Sequence, residues 1–200
     1  MDITLERHLR VVDAMIPYVR GRVLEWGCRH ALDSCVYRMR LGDKVELSGC
    51  DVSEPDEYRP FHEFSGLAYQ QIRHPYRLDY DDAAFDVVTS NGVLENVPDD
   101  AASVAEIFRV LRPGGVFVIT CLPNKYSYTE ALQRRRGVTA HDRLYTVSGT
   151  RRLLRERGFV VGGVRRMFMV PTMLHGAPEP VRRRYQDARR LVWAADAGLA

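Results

Sequence analysis

The sequence predicts an α/β protein: a doubly wound, mostly parallel sheet with helices on both faces. Three observations predict it. Short apolar runs of strand length alternate along the chain with stretches whose apolar residues recur at helical spacing. Most of those short runs are unbroken rather than alternating, as in strands buried on both faces. The length of 200 residues, 46% of them apolar and 28% charged, suits one globular domain, residues 1–200.

Leu5, Leu9, Val12 and Met15 fall at helical spacing, so residues 4–19 read as an amphipathic helix stopped by Gly21. Residues 22–26 (RVLEW) form a short buried strand that runs into Gly27, and a helix follows over 31–41. Gly42-Asp43 makes the turn into a second strand, 44–50 (KVELSGC), which ends at Asp51. Residues 53–66, with Pro55 and Pro60, hold a short helix, and 67–74 a weak third strand. Beyond the turn at Asp81-Asp82, residues 85–90 (FDVVTS) are the clearest buried strand. A helix over 101–111 stops at Pro113-Gly114-Gly115, before a further buried strand, 116–121 (VFVITC). The pattern then gives a helix over 150–157 closed by Gly158, a strand-like stretch over 159–170, and an amphipathic helix over 178–197. Residues 122–147, the longest stretch without a strand, read as an insertion at the active site, and 176–200 as a C-terminal helical appendage.

No apolar run approaches the ~20 residues that span a bilayer. The opening MDITLERHLR has no apolar stretch, and Cys28, Cys35, Cys50 and Cys121 are scattered without a CxxC pair. A cytoplasmic protein without a disulfide framework or a metal site is therefore expected. Charge is uneven. Residues 1–130 carry 14 Lys and Arg against 21 Asp and Glu, whereas residues 131–200 carry 15 Arg against 5 Asp and Glu. The basic last third suits a solvated face, with peripheral contact to an anionic membrane through the terminal helix as the functional reading. Aromatics able to stack bases are sparse there, so no nucleic-acid partner is expected.

In a doubly wound sheet, ligands bind at the carboxyl ends of the strands, where strand order reverses. Gly27 follows the first strand and lets a ligand approach backbone N–H groups near a helix start. Asp51 ends the second strand 24 residues later, where a carboxylate can accept hydrogen bonds from both hydroxyls of a ribose.

With VLEWGC, GCDVS, FDVVTSNGVLENVPD and AEIFRVLRPGGVFVIT in this order, residues 20–170 resemble the Rossmann-like, class I S-adenosylmethionine-dependent methyltransferases. The resemblance implies S-adenosyl-L-methionine as cofactor. It implies Glu25 near the cofactor's ammonium, Gly27 with Cys28 and Arg29 as the backbone approach, and Asp51 on the ribose. Val52 would pack on the adenine, His74 and Tyr76 would line its edge, and Ser90, Asn91 and Gly92 would run under the methionine moiety. The sequence departs from the family pattern at Arg29 and Ala31, where glycines are usual, at His74, where an acid often stands, and at Asn96, often a histidine. Such enzymes also commonly finish in an antiparallel hairpin, of which only one strand is visible, so the terminal strand is expected to be replaced or missing.

The implied activity is methyl transfer to a small-molecule acceptor (a secondary metabolite, a sugar or a lipid precursor), through O-methylation. A hydroxyl acceptor needs a proton sink, and Asn96 cannot be one. His141, beside Asp142 in the insertion, is the candidate base, with His175 as fallback. The alternatives are an RNA methyltransferase and a catalytically silent cofactor-binding or interaction protein.

Overall fold

Residues 3–135, 137, 141–167, 178–188, 191 and 193 are described in the computed structural model. Proximity along the backbone divides them into two units.

The larger unit, residues 12–161, is a five-stranded, all-parallel sheet in the order β3-β2-β1-β4-β5. The strands are β1 (Gly21–Trp26), β2 (Val45–Asp51), β3 (Ala68–Gln71), β4 (Phe85–Asn91) and β5 (Leu111–Thr120). The helices between them are α2 (Leu32–Leu41), α3 (Arg59–Ser65) and α4 (Asp100–Val110). They follow α1 (Ile3–Met15), and α5 (Tyr128–Arg135) and α6 (Val147–Glu156) come after the sheet. Strand order reverses between β1 and β4, which makes their carboxyl ends the crevice where ligands bind in such sheets. The doubly wound fold expected from the sequence is the fold observed.

Central strands bury both faces, which is why their apolar runs are unbroken. Leu24, Val88, Leu94, Val104, Ile107 and Val110 are almost fully buried in one cluster with Trp26 and Phe85. Each fully buried aliphatic side chain contributes roughly 1.5–3 kcal/mol. On the other face Tyr37 and Met15 are fully buried, with the Tyr37 hydroxyl 3.5 Å from Met15 Sδ. Helix starts are capped where the sequence offers an oxygen. Asp99 accepts from Ala102 N at 2.9 Å before α4, and Thr146 from Gly149 N at 3.0 Å before α6.

Three expectations need correction. The strand-like stretch at 159–170 is not a strand over its described part, 159–167. Phe159 is drawn instead into aromatic contact with Phe108 and Phe117, Val160 is 96% exposed, and Gly162-Gly163 offers no side chain to a sheet face. Pro113-Gly114-Gly115 does not precede the fifth strand but bulges within β5. Phe85 pairs with Leu111 and Val87 with Val116, so four residues stand opposite Asp86. Asp86 fills that gap, accepting from Arg22 N and pairing with Arg112. The insertion carries a helix of its own, α5, which the mixed polarity of its sequence did not announce.

The smaller unit holds the described residues of 3–11 and 162–193, including α7 (Glu179–Asp187). Within it Trp193 is buried under the Arg10 guanidinium, 4.5 Å from the ring centroid. Arg183 and Arg184 are exposed on α7. His175, Val192 and Ala195 lie outside the described residues.

Candidate active site

Strand register sets the geometry of the crevice. Trp26 lies opposite Cys50 on one side and Ser90 on the other, so the next residues, Gly27, Asp51 and Asn91, stand together at the carboxyl edge of β1, β2 and β4. Gly27 N and Cys28 N both donate to Cys50 O, at 2.8 and 3.2 Å, and turn the chain over β2. Gly27 has φ +76, and a Cβ there would collide with Val93. Glycine is thus required twice over.

The loop continues through two left-handed residues that are not glycine, Arg29 at φ 40 and Ala31 at φ 49. For L-residues that conformation costs roughly 1–2 kcal/mol each. The departures from the glycine pattern therefore keep its backbone shape. Arg29 is exposed and its side chain swings outward, with Nη2 donating to Tyr58 Oη at 3.2 Å. Its carbonyl oxygen lies 2.7 Å from His62 Nε2, and its N–H donates to Asp51 Oδ2 at 3.2 Å.

Asp51 is buried and organises the same edge. Its Oδ1 accepts from Ser53 N at 3.0 Å and Ser53 Oγ at 2.7 Å. Three of about four acceptor positions on the carboxylate are thus engaged by its own loops. The next residue, Val52, is 73% exposed.

Glu25 sits deeper, with the side chain of a functional candidate and the contacts of a helix cap. The N-cap of α2, Ala31, has no side-chain oxygen, and Glu25 Oε2 replaces it, accepting from Ser34 N at 2.9 Å and from the Ser34 hydroxyl. Burial, reinforced by Asp33 and by Asp51, pushes the Glu25 carboxyl well above the ordinary carboxylate range. The folded state therefore holds that proton more tightly than the unfolded chain. Its contribution to stability is present at acid pH and is lost as pH rises through the folded value. Glu25→Gln, which keeps an oxygen for Ser34, is expected to raise the melting temperature at pH 8 by a few degrees, about 1 kcal/mol, and to change little at pH 4. Paired thermal melts at the two pH values check this.

On β4, Ser90 Oγ is buried without a hydrogen-bond partner among the described residues. Asn91 Nδ2 donates to Asp33 at 3.2 Å and ties the strand end to α2. Gly92, at φ +68, donates its N–H to Thr120 O at 3.1 Å. Asn96, exposed, donates from Nδ2 to Gly92 O at 3.0 Å and fastens this loop. His74 and Tyr76 are exposed in the turn after β3, where His74 Nδ1 accepts from Tyr76 N at 3.2 Å and Arg77 N at 3.0 Å. Cys28 is buried, and burial pushes its thiol far above the usual range, so it stays protonated.

The insertion is pinned over the loop that follows β4. Lys125 N donates to Tyr145 O at 2.7 Å and Tyr145 N to Pro123 O at 2.9 Å, closing its base. Arg143 donates to Leu94 O, Val97 O and Pro98 O, and Tyr145 Oη to Leu94 O at 3.0 Å. That clamp fixes His141, two residues from Arg143. Asp142 is exposed, and His141 Nδ1 lies 2.8 Å from Glu130 Oε1 on α5. Glu95, on the same loop as Leu94, is buried and close enough to feel the His141 charge; burial pushes its carboxyl up. Glu130, Asp33 and the Tyr58–His62 support of Arg29 were not read from the sequence. Glu130 is eleven residues from its partner, and no local motif marks it. Among the described residues no group of three or more His, Cys, Asp or Glu side chains is placed to hold a metal ion, and no helix is long and apolar enough to cross a membrane.

Residues 24–119 match the family described as "Methyltransferase domain". A ubiquinone biosynthesis O-methyltransferase of Thiobacillus denitrificans is 31% identical over 129 residues, covering 62% of this chain and 54% of that protein. A demethylmenaquinone methyltransferase of Staphylococcus epidermidis is 36% identical over 122 residues, covering 58% and 51%. The chain thus spans about half the length of the curated relatives it matches. Among solved structures, the complex between the Haloferax volcanii Trm112 methyltransferase activator and a methyltransferase superposes with a TM-score of 0.65 at 19% identity, covering 76% of this chain and 69% of that one. Glycine turn, second-strand acid, five-stranded parallel sheet and the match over residues 24–119 agree: this part of the chain is similar to the Rossmann-like S-adenosylmethionine-dependent methyltransferases.

Proposed function

We propose that this protein transfers a methyl group from S-adenosylmethionine to a hydroxyl of a small-molecule acceptor. The observation that carries the reading is the side-by-side placement of Gly27, Asp51 and Asn91 at the switch point of the sheet. The donor set fits the cofactor. Asp51 offers a carboxylate to ribose hydroxyls, Gly27 gives backbone access, and the partnerless Ser90 hydroxyl is a polar atom awaiting a ligand. When bound, the cofactor supplies an electrophilic methyl on a sulfonium, already activated by its charge.

The protein's own contribution is alignment and proton handling. Asp51 would hold the ribose hydroxyls, Glu25 would serve the ammonium, Val52, His74 and Tyr76 the adenine, and Ser90, Asn91 and Gly92 the methionine chain. His141 would take the proton of the acceptor's hydroxyl. The relatives, a ubiquinone biosynthesis O-methyltransferase and a demethylmenaquinone methyltransferase, support a small acceptor.

The test is a mass-shift screen of phenols, sugars and lipid precursors with S-adenosylmethionine. A product heavier by one CH2, stable to alkali and showing a methoxy resonance by NMR, supports O-methylation of a hydroxyl. Cofactor binding with no methylated product from any class would favour the silent-binder reading. Arg29→Gly restores the glycine of the family pattern. Since the Arg29 side chain points at Tyr58, the variant is expected to bind the cofactor at least as tightly as wild type, within about threefold or roughly 0.7 kcal/mol. Calorimetry that shows a folded variant without binding would make Arg29 a direct ligand instead.

A further inference from the structure

The reading above leaves the buried acid Glu130 without a role. Glu130 is 7% exposed on α5; its Oε1 lies 2.8 Å from His141 Nδ1, and its Oε2 is buried with no partner among the described residues. Burying a carboxylate is costly unless its partners compensate. Here the one partner found is an imidazole whose other nitrogen, Nε2, makes no hydrogen bond among the described residues. Which ring nitrogen of a neutral histidine carries the proton is set by the bond the other atom makes.

We infer that Glu130 is a positioning residue: by accepting the His141 Nδ1–H it fixes the tautomer in which Nε2 carries the lone pair that receives the acceptor's proton. The proton balance is simple. Nδ1 keeps its hydrogen throughout, Nε2 gains one from the acceptor hydroxyl, and Glu130, ionised, faces the resulting imidazolium without taking its proton. The inference rests on His141 as the base, yet its test does not need the acceptor.

Nitrogen-15 NMR of the histidine-labelled full chain at pH 8, above the ordinary imidazole range, reads the tautomer directly. His141→Ala assigns the signal. In wild type the Nδ1–H form is expected in roughly tenfold excess, the scale of one charged hydrogen bond. Glu130→Gln, whose side-chain carbonyl can accept the same proton, should keep that form as the majority. Glu130→Met, of similar size but without an acceptor, should lose the preference. A wild-type spectrum dominated by Nε2–H overturns the inference by itself, whether or not the variants fold. So does an unchanged Nδ1–H majority in folded Glu130→Met. Full turnover by His141→Ala on an acceptor found in the mass screen would instead remove the base reading while leaving the tautomer result standing, so the two failures are distinguishable.

Discussion

Asp51→Ala lowers the affinity for S-adenosylmethionine by about two orders of magnitude or more. A hydrogen bond to a charged group contributes roughly 1.5–3 kcal/mol, and the acceptor position that the loops leave open on the carboxylate is the one a ribose hydroxyl stands to lose. The carboxylate also accepts from Arg29 N, Ser53 N and Ser53 Oγ, so the alanine variant frees the glycine loop as well as removing the ligand. Asp51→Asn separates the two effects. It keeps an acceptor for the loop but carries no charge, and should fall between alanine and wild type. Titration calorimetry checks both, and an alanine variant binding within about threefold of wild type would misplace the ribose.

The second large effect falls on turnover. His141→Ala is expected to leave cofactor affinity unchanged and to lower kcat by ~10²-fold or more, the scale of general-base catalysis. Of the histidines in the described residues, His62 is held on Arg29 O and His74 caps a turn, so each has a local structural task. His30 lies against Tyr58 and Phe61, on the cofactor-loop side. His141 alone sits in the segment clamped over the loop after β4 by Arg143 and Tyr145. The measurement is a turnover assay across pH on the acceptor found by the mass screen. Full activity with an unchanged pH profile would reduce the catalysis to proximity.

The parallel sheet was legible because central strands advertise themselves. FDVVTS of the central β4 and VFVIT of the edge strand β5 are largely apolar, and the helix between them carries apolar residues at helical spacing. Gly27 and Asp51 were legible for a similar reason: strand ends fix where the next residue stands, so two short strands of known register place both. What escaped depends on contacts distant in sequence. The Glu130–His141 pair spans eleven residues and a helix whose sequence, YTEALQRR, is mostly polar. The 159–170 stretch has strand-like composition, but its first residues are claimed by aromatic packing and by solvent rather than by a sheet edge. Arg29 looked like an obstruction. The backbone accepts it in a left-handed conformation, and the guanidinium leaves for Tyr58.

The central claim is that the carboxyl edge of β1, β2 and β4 holds S-adenosylmethionine. The most direct measurement is the melting temperature of the full chain with and without it. A ligand that binds only the native state at 100 times its Kd stabilises by about 2.7 kcal/mol. For a chain of this size that is a rise of roughly 5–10 °C, and Asp51→Ala, bound about 100-fold more weakly, should cut it to roughly 1–2 °C at the same concentration. No shift at millimolar cofactor, or an equal shift in wild type and Asp51→Ala, would contradict the assignment.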